Sequence, residues 1–276
     1  MFLSSIHRKK IAAFYFICFA LCYGWYYLHG LLLHQLSPVF FLNKLDITVN
    51  LVLLTNLHTA VINNPVLQVV LDSLYFLLPL SLFISCLAGY KLQYILAIAT
   101  SAFNLVYAIL LSTMSPLSIE GFTGWIMLPL VFAFKNERSF YFILQTMRYF
   151  FLLIFFSAAL WKIRAGGIFN TEQMSAILLK QHAAYLVGST GEWYVGFINY
   201  LVSHKILSYC LYLAAALAEF VFIIGFFTKK YDRLLIIIFL AFALFDYFLM
   251  GINYFSWSAF LSCLWFSSYK LKTAGA

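Results

Sequence analysis

FYFILQTMRYFFLLIFFSAALW, the stretch from Phe140 to Trp161, carries a single charged residue, Arg148. Because a helix rises about 1.5 Å per residue, about 20 apolar residues cross a hydrocarbon core some 30 Å thick. This stretch is therefore long enough to span a membrane. The whole chain agrees, since 64% of its 276 residues are hydrophobic and 9% are charged, whereas a soluble domain carries about 25% charged residues. The composition excludes an ordinary soluble protein.

The same criterion predicts an all-α, polytopic membrane bundle with about eight transmembrane helices. They are Ile11–His29, Val66–Tyr90, Leu92–Ser112, Gly121–Phe134, Phe140–Trp161, Ile206–Thr228, Leu234–Met250 and Ile252–Ser268. The fourth is short, so it must extend into its flanks, thin the bilayer or lie against neighbours, and seven crossings remain an alternative. The sequence contains no repeat and no polar linker, which predicts a single domain over residues 1–276.

The lysines and arginines predict the orientation, because cytoplasmic loops hold an excess of them. The side with more basic residues holds Arg8, Lys9, Lys10, Lys91, Lys135, Arg138, Lys229, Lys230, Arg233, Lys270 and Lys272. The opposite side holds Lys44, Lys162, Arg164, Lys180 and Lys205. We therefore expect both termini in the cytoplasm and, from the compact form, a bacterial inner membrane. The net charge of +8 lies in scattered clusters, so membrane lipids and no nucleic acid are the expected partners.

The first ten residues resemble a secretory signal, because a basic cluster precedes an apolar run. No small-residue cleavage site follows, so we expect the first helix to remain. Four further segments on the outer side are largely apolar but broken by polar residues, which predicts interfacial or re-entrant helices. They are Leu31–Leu42, Ile47–Val61, Met174–Val187 and Trp193–His204.

Ionised groups inside the bilayer need a partner, water or a change of protonation. Arg148 and Glu219 lie at similar depths in their predicted helices, which predicts an intramembrane pair. Such a pair either locks two helices together or forms a substrate or proton site. Asp72 and Asp246 have no evident cationic partner, so each is expected to be protonated or to face water.

Lys162 ends the fifth predicted helix, and at 100° per residue it lies within about 40° of Arg148 on one helix face. That face is expected to look inward. Two interpretations are open: a lysine that extends to the interface beside Trp161, or a buried neutral lysine that acts as a base. The histidine spacings match no metal motif, so no metal site is predicted.

Several stretches resemble the vitamin K-dependent γ-carboxylase superfamily, whose membrane part is the horizontally transferred transmembrane (HTTM) domain. In RYFFLLIFFSAALWKIRAGGIFNTEQM, residues Arg148–Met174, an arginine precedes an aromatic and small-residue run that ends in lysine. Other similar stretches are LAAALAEFVFIIGFF around Glu219, the turn KKYDR, MGINYFSW at Met250–Trp257 and FAFKNERSF at Phe132–Phe140. The chain departs from the family at Glu120-Gly121-Phe122, where the family has an Asn-His pair.

The resemblance implies a site for a quinone or hydroquinone in the outer half of the membrane. In the carboxylases the matching lysine deprotonates a reduced quinone, so Lys162 inherits the role of base, with Arg148 and Glu219 supporting it. Arg164 and Trp161 are the residues that this hypothesis assigns to the cofactor. No lumenal domain is expected after the last helix, so glutamyl carboxylation itself is not predicted.

Two classes of function therefore stay open. The first is an enzyme with carboxylase-like or quinone-linked redox chemistry. The second is a non-catalytic membrane scaffold that holds a protein partner of the cell envelope. A transporter ranks behind both, because the sequence contains no inverted repeat.

Overall fold

The computed structural model describes residues 2–36, 47–115, 117–188 and 191–266, and all regular secondary structure in these ranges is helical. The prediction of an all-α bundle is confirmed at this level. Parts of the predicted helices Leu31–Leu42 and Ile252–Ser268 lie outside the described residues, as do Lys44, Lys270 and Lys272.

Thirteen α-helices are found in the described ranges. They are α1 (Phe2–Leu28), α2 (Ile47–Thr55), α3 (Leu57–Ile62), α4 (Pro65–Ala88), α5 (Gln93–Met114), α6 (Thr123–Met127), α7 (Glu137–Arg164), α8 (Gln173–Gly188), α9 (Trp193–Ser203), α10 (Lys205–Phe220), α11 (Ile224–Phe227), α12 (Asp232–Met250) and α13 (Leu261–Trp265). Short 3₁₀ helices are Leu33–Gln35, Ile119–Phe122, Leu128–Ala133, Gly167–Phe169, Val221–Ile223 and Phe255–Phe260.

Six helical stretches of the described chain are long and apolar enough to cross a membrane. They are Ile6–Gln35, Pro65–Ala88, Gln93–Met114, Glu137–Arg164, Lys205–Phe227 and Asp232–Met250. Each coincides with a predicted transmembrane helix. The segments that were predicted to form interfacial or re-entrant helices contain α2, α3, α8 and α9, and the described part of the first of them contains the 3₁₀ helix Leu33–Gln35.

The other two predicted helices, Gly121–Phe134 and Ile252–Ser268, are not continuous α-helices. They consist of the shorter apolar stretches Ile119–Ala133 and Phe255–Trp265, which are divided between 3₁₀ and α geometry. In the first stretch Pro129 lies at the start of the 3₁₀ helix, where its missing N–H cannot continue the α-helical hydrogen-bond pattern.

The helices group into two compact units. The first comprises Met1–Met147 with Phe255–Phe266, and the second contains Arg148–Tyr254. The long helix α7 contributes residues to both. The prediction of one domain over residues 1–276 therefore stays a prediction.

In the first unit, the stretch Ile119–Ala133 runs antiparallel to α1. Arg8, near the start of α1, donates from Nη2 to the carbonyl of Phe134 at 2.6 Å. At the other end of α1, the ring of Tyr26 lies 5.9 Å from that of Phe122. Both ends of α1 thus contact this one stretch.

The stretch Phe255–Trp265 follows α1 in the same antiparallel sense. The ring of Phe255 lies 5.9 Å from Trp25, and that of Phe266 lies 5.0 Å from His7. Between the ends, Trp125 is fully buried against α1 and lies 5.5 Å from the ring of Phe19. In the first unit, α1 thus packs against two antiparallel short segments and against α4, and the Asn104 side chain of α5 donates to the Tyr15 hydroxyl of α1.

The second unit has an aromatic core between α7, α12 and the 3₁₀ turn Val221–Ile223. Phe155 lies 5.0 Å from Phe222 and 5.3 Å from Phe239. A second group of buried residues joins α8 and α9 to α10 and α12. Its members are Met174, Leu178, Ile198, Leu201, Tyr212 and Leu249. Because Tyr212 and Leu249 belong to the long helices, α8 and α9 pack against one end of them.

Candidate functional site

Arg148 is fully buried and forms an ion pair with Asp232, at the start of α12. Nε donates to Oδ2 at 2.8 Å and Nη2 to Oδ1 at 2.5 Å, the two-pronged geometry that suits a guanidinium. Nη2 also donates to the carbonyl of Gly225 at 2.8 Å. Arg148 therefore holds the turn between α11 and α12 against α7.

Glu219 pairs with Lys162, not with Arg148. The Nζ of Lys162 donates to Oε2 of Glu219 at 2.7 Å. The predicted Arg148–Glu219 pair is wrong. The expectation that one face of α7 looks inward is confirmed, because both basic side chains contact other helices of the second unit.

The direction of helical side chains explains the different pairing. Each Cα–Cβ bond of a helix tilts toward the helix N-terminus, so long side chains extend back along it. Arg148 accordingly extends toward the start of α7, where it meets Asp232. Lys162, near the end of α7, extends back along the helix in the same direction and meets Glu219. The depths of the Cα atoms alone do not include this displacement.

Asp246 adds a second carboxylate to the Lys162–Glu219 pair. It lies on α12, one helical turn after Phe242, whose ring centroid is 5.9 Å from Lys162 Nζ, and the residue is 8% exposed. Among the described residues, none donates a hydrogen bond to its carboxylate. The cluster of Lys162, Glu219 and Asp246, here called the lysine cluster, thus contains two acids and one base.

Aromatic rings line the lysine cluster. The Nζ of Lys162 lies 5.7 Å from the ring centroid of Tyr212 and 5.9 Å from that of Phe242. The hydroxyl of Tyr212 lies so close to Gly167 that a Cβ there would come within 2.5 Å of it. Only glycine leaves room for this hydroxyl beside the end of α7. The site therefore combines ionisable groups with flat apolar surfaces.

Arg164 and Trp161 lie at the exposed end of α7. The guanidinium carbon of Arg164 is 5.4 Å from the Trp161 ring, and both residues are exposed. They contact each other, and within the described residues neither forms an ion pair with Lys162 or Glu219. Their assignment to a cofactor stays a prediction.

The two ion pairs of α7 differ in accessibility and in charge balance. The Arg148 side chain is 0% exposed and meets one acid, whereas the Lys162 side chain is 25% exposed and lies near two. Arg148 is therefore enclosed within the second unit, whereas part of the Lys162 side chain is accessible.

In the first unit, Asp72 does have a partner with a titratable ring, contrary to expectation. Its Oδ2 lies 2.6 Å from Nδ1 of His34, and its Oδ1 accepts from the Tyr107 hydroxyl at 2.6 Å. The backbone N–H groups of Leu33 and His34 donate to the same carboxylate. Asp72 therefore fastens the turn after α1 to α4 and α5.

Outside the membrane-spanning stretches, two groups show the effect of their neighbours. The hydrogen bond from Lys205 and its positive charge lower the pKa of Glu172. Burial and the nearby charge of Arg148 lower the pKa of Lys229, against the opposing effect of Asp232.

Two contacts of buried ionisable residues could not be predicted from the sequence. Asp232 lies in the basic turn KKYDR, and the signal there was an acid among lysines and arginines. His34 lies in an apolar segment, and nothing in its local sequence points to Asp72.

The fold and site define a helical protein with six apolar helices of membrane-spanning length and a lysine–carboxylate cluster in one of its units. No protein-family model, no curated protein and no solved structure matches this chain. The likeness to the γ-carboxylase superfamily therefore rests on the sequence motifs.

Proposed function

We propose that this chain is a multi-pass protein of the bacterial inner membrane that binds a quinone-like or other lipophilic substrate, with Lys162 as proton acceptor. The lysine cluster carries the proposal. It joins a partly exposed amine, two carboxylates and aromatic rings within one unit, and the family resemblance points to the same lysine.

The chemistry needs a neutral amine, because only an unprotonated Nζ can accept a proton. Glu219 can provide this state, since its Oε2 lies 2.7 Å from Nζ and can take the lysine proton directly. The amine then removes the proton from a substrate hydroxyl, which leaves an ammonium ion beside the substrate oxyanion. Proton transfer within the pair creates no net charge, which favours it in an apolar environment.

We further propose eight membrane crossings with both termini in the cytoplasm. Arg8 and Tyr26 are separated by about 27 Å of helix rise, and they contact opposite ends of residues 122–134. A mixture of 3₁₀ and α geometry extends those residues over roughly 20–24 Å, because the 3₁₀ rise is about 2.0 Å per residue. Phe255 and Phe266 contact opposite ends of α1 in the same manner. These contacts favour a crossing by each short stretch.

Single-cysteine labelling in intact cells tests this topology. In a background without the five native cysteines, a cysteine in place of Arg138 should be protected from an impermeant maleimide. A cysteine in place of Lys180 should react. Reaction at both positions would contradict the eight-crossing arrangement.

A substrate test compares Lys162→Arg with the wild type in lipid nanodiscs. Arginine keeps the positive charge but stays protonated, so it cannot act as a base. We expect retained binding of a short-chain hydroquinone but loss of hydroquinone-dependent oxygen consumption. Lys180→Arg, at an exposed lysine of α8, is the matched control and should behave as the wild type.

Mass spectrometry of gently solubilised protein supplies the independent check. A co-purified quinone that is lost in Lys162→Ala would support the proposal. A one-to-one protein partner without bound quinone would overturn it in favour of the envelope scaffold.

A further inference from the structure

We infer that Asp246 carries a proton, which gives the lysine cluster zero net charge and suits it to an uncharged lipophilic ligand rather than a cation. The ligand part of this inference rests on the proposed function. The protonation part stands on the geometry of the second unit alone.

The supply of positive charge around Asp246 is the first step. Lys162 on α7 faces α12 at Phe242, one helical turn before Asp246, and its amine already donates to Glu219 at 2.7 Å. Asp246 itself is 8% exposed and lies within a membrane-spanning stretch. An acid in such a position is more stable in its neutral form unless it has a hydrogen-bond donor or a cation of its own.

The elements packed near Asp246 provide no second cation in the described part of the chain. Tyr212 on α10 has a neutral ring that faces Lys162. His182 on α8 uses Nε2 in a hydrogen bond of 2.7 Å with the carbonyl of Leu249. Tyr194 on α9 donates to the carbonyl of Phe248. His182 and Tyr194 thus bind backbone carbonyls at the end of α12 and do not bind the Asp246 carboxyl.

The charge count then determines the class of ligand. With Asp246 neutral, the ammonium of Lys162 and the carboxylate of Glu219 cancel. With Asp246 ionised, the cluster carries one negative charge, and the rings of Tyr212 and Phe242 would add cation–π attraction for a lipophilic cation. The two protonation states thus predict opposite preferences.

Infrared difference spectroscopy in nanodiscs tests the protonation directly and needs no ligand. We expect the wild type at neutral pH to show a carbonyl band of a protonated carboxylic acid that shifts in heavy water. Asp246→Asn should lose this band, and Glu120→Gln, at an exposed acid, should retain it. Absence of the band from the wild type, or its persistence in a folded Asp246→Asn variant, would overturn the inference.

Thermal unfolding shows whether the Asp246→Asn variant folds as stably as the wild type. Because asparagine resembles the neutral acid in shape and charge, Asp246→Asn should keep the wild-type Tm. A large fall in Tm, together with no acid band in the wild type, would show that the ionised form stabilises the fold.

Ligand preference is measured separately, with a short-chain hydroquinone and a decyl-triphenylphosphonium cation. We expect the hydroquinone to bind at least tenfold more tightly to the wild type and to Asp246→Asn. A preference for the cation would overturn the inference. If neither probe binds while the acid band is present and assigned to Asp246, the proposed quinone function fails and the protonation stands.

Discussion

The guanidinium of Arg148 donates two hydrogen bonds to the carboxylate of Asp232, at 2.8 and 2.5 Å, in the buried interior of the second unit. Replacement of Arg148 by lysine removes the two-pronged geometry and the bond to Gly225. Lysine keeps the charge, but a hydrogen bond to a charged group is worth about 1.5–3 kcal/mol, so we expect Arg148→Lys to lower the Tm strongly in detergent micelles. An unchanged Tm would contradict the structural role of Arg148.

The exposed pair of Glu172 and Lys205 supplies the matched control for this comparison. Solvent screens such a pair, so Glu172→Gln should leave the Tm unchanged at neutral pH. Since Lys205 lowers the pKa of Glu172, any small contribution is present above the unfolded-state pKa of that group. It is lost as the pH falls through the lower folded-state pKa.

Removal of the Glu219 charge should have a smaller effect on stability than removal of Arg148. Glu219→Gln leaves Lys162 without its counterion, but the Lys162 side chain is 25% exposed and can turn toward solvent. We expect a Tm between those of Arg148→Lys and the wild type under the same conditions. A fall as large as that of Arg148→Lys would indicate that the Lys162–Glu219 pair is a helix lock.

The carboxylate of Asp72 should be important for the first unit, because it accepts from two backbone N–H groups, His34 and Tyr107. An asparagine side chain has one oxygen and one amino group. In Asp72→Asn the amino group, itself a donor, would therefore face groups that donate to the wild-type carboxylate. A buried donor without an acceptor costs about 1–3 kcal/mol, and the variant should unfold at a clearly lower temperature. Tyr107→Phe removes one donor only and should be milder, so equal losses would argue against this account.

Gly124 lies where two backbone segments of the first unit approach each other closely. A Cβ at this position would lie 1.8 Å from the carbonyl oxygen of Ser256, whereas a Cβ at Gly121 would meet nothing within 4 Å. Gly124→Ala should therefore destabilise the protein by at least about 1–3 kcal/mol, the usual range for overpacking. Gly121→Ala is the control, and thermal unfolding of the two variants should separate them; indistinguishable curves would contradict the close contact.

A substitution at Gly167 tests whether the neighbouring Tyr212 ring lines the ligand site. A Cβ there would displace the Tyr212 hydroxyl, which lies within 2.5 Å of that position, while Gly196 on α9 has free space. If the Tyr212 ring lines the ligand site, Gly167→Ala should weaken hydroquinone binding several-fold, and Gly196→Ala should not. Equal affinities in folded variants would place the ligand away from Tyr212.

The positions of the long helices could be predicted because an apolar run of about 20 residues has few alternatives in a membrane protein. The helices α8 and α9 could also be predicted, because their sequences are largely apolar segments interrupted by polar residues; their interfacial or re-entrant position stays a prediction. The short stretch Ile119–Ala133 was harder, since hydropathy does not distinguish α from 3₁₀ geometry. Its division depends on Pro129 and on the contact between Gly124 and Ser256.

The amino-acid sequence by itself determined the helical class, the positions of the six long apolar helices found in the described residues, and the presence of an arginine and a lysine on one face of α7. Only the tertiary structure decided which acid each of them meets. Arg148 joins Asp232, Lys162 joins Glu219, and Asp246 lies beside the second pair. The physical reason is that periodicity along one helix gives the direction of a side chain. Its partner depends on how far the side chain extends and on which neighbouring helix lies there.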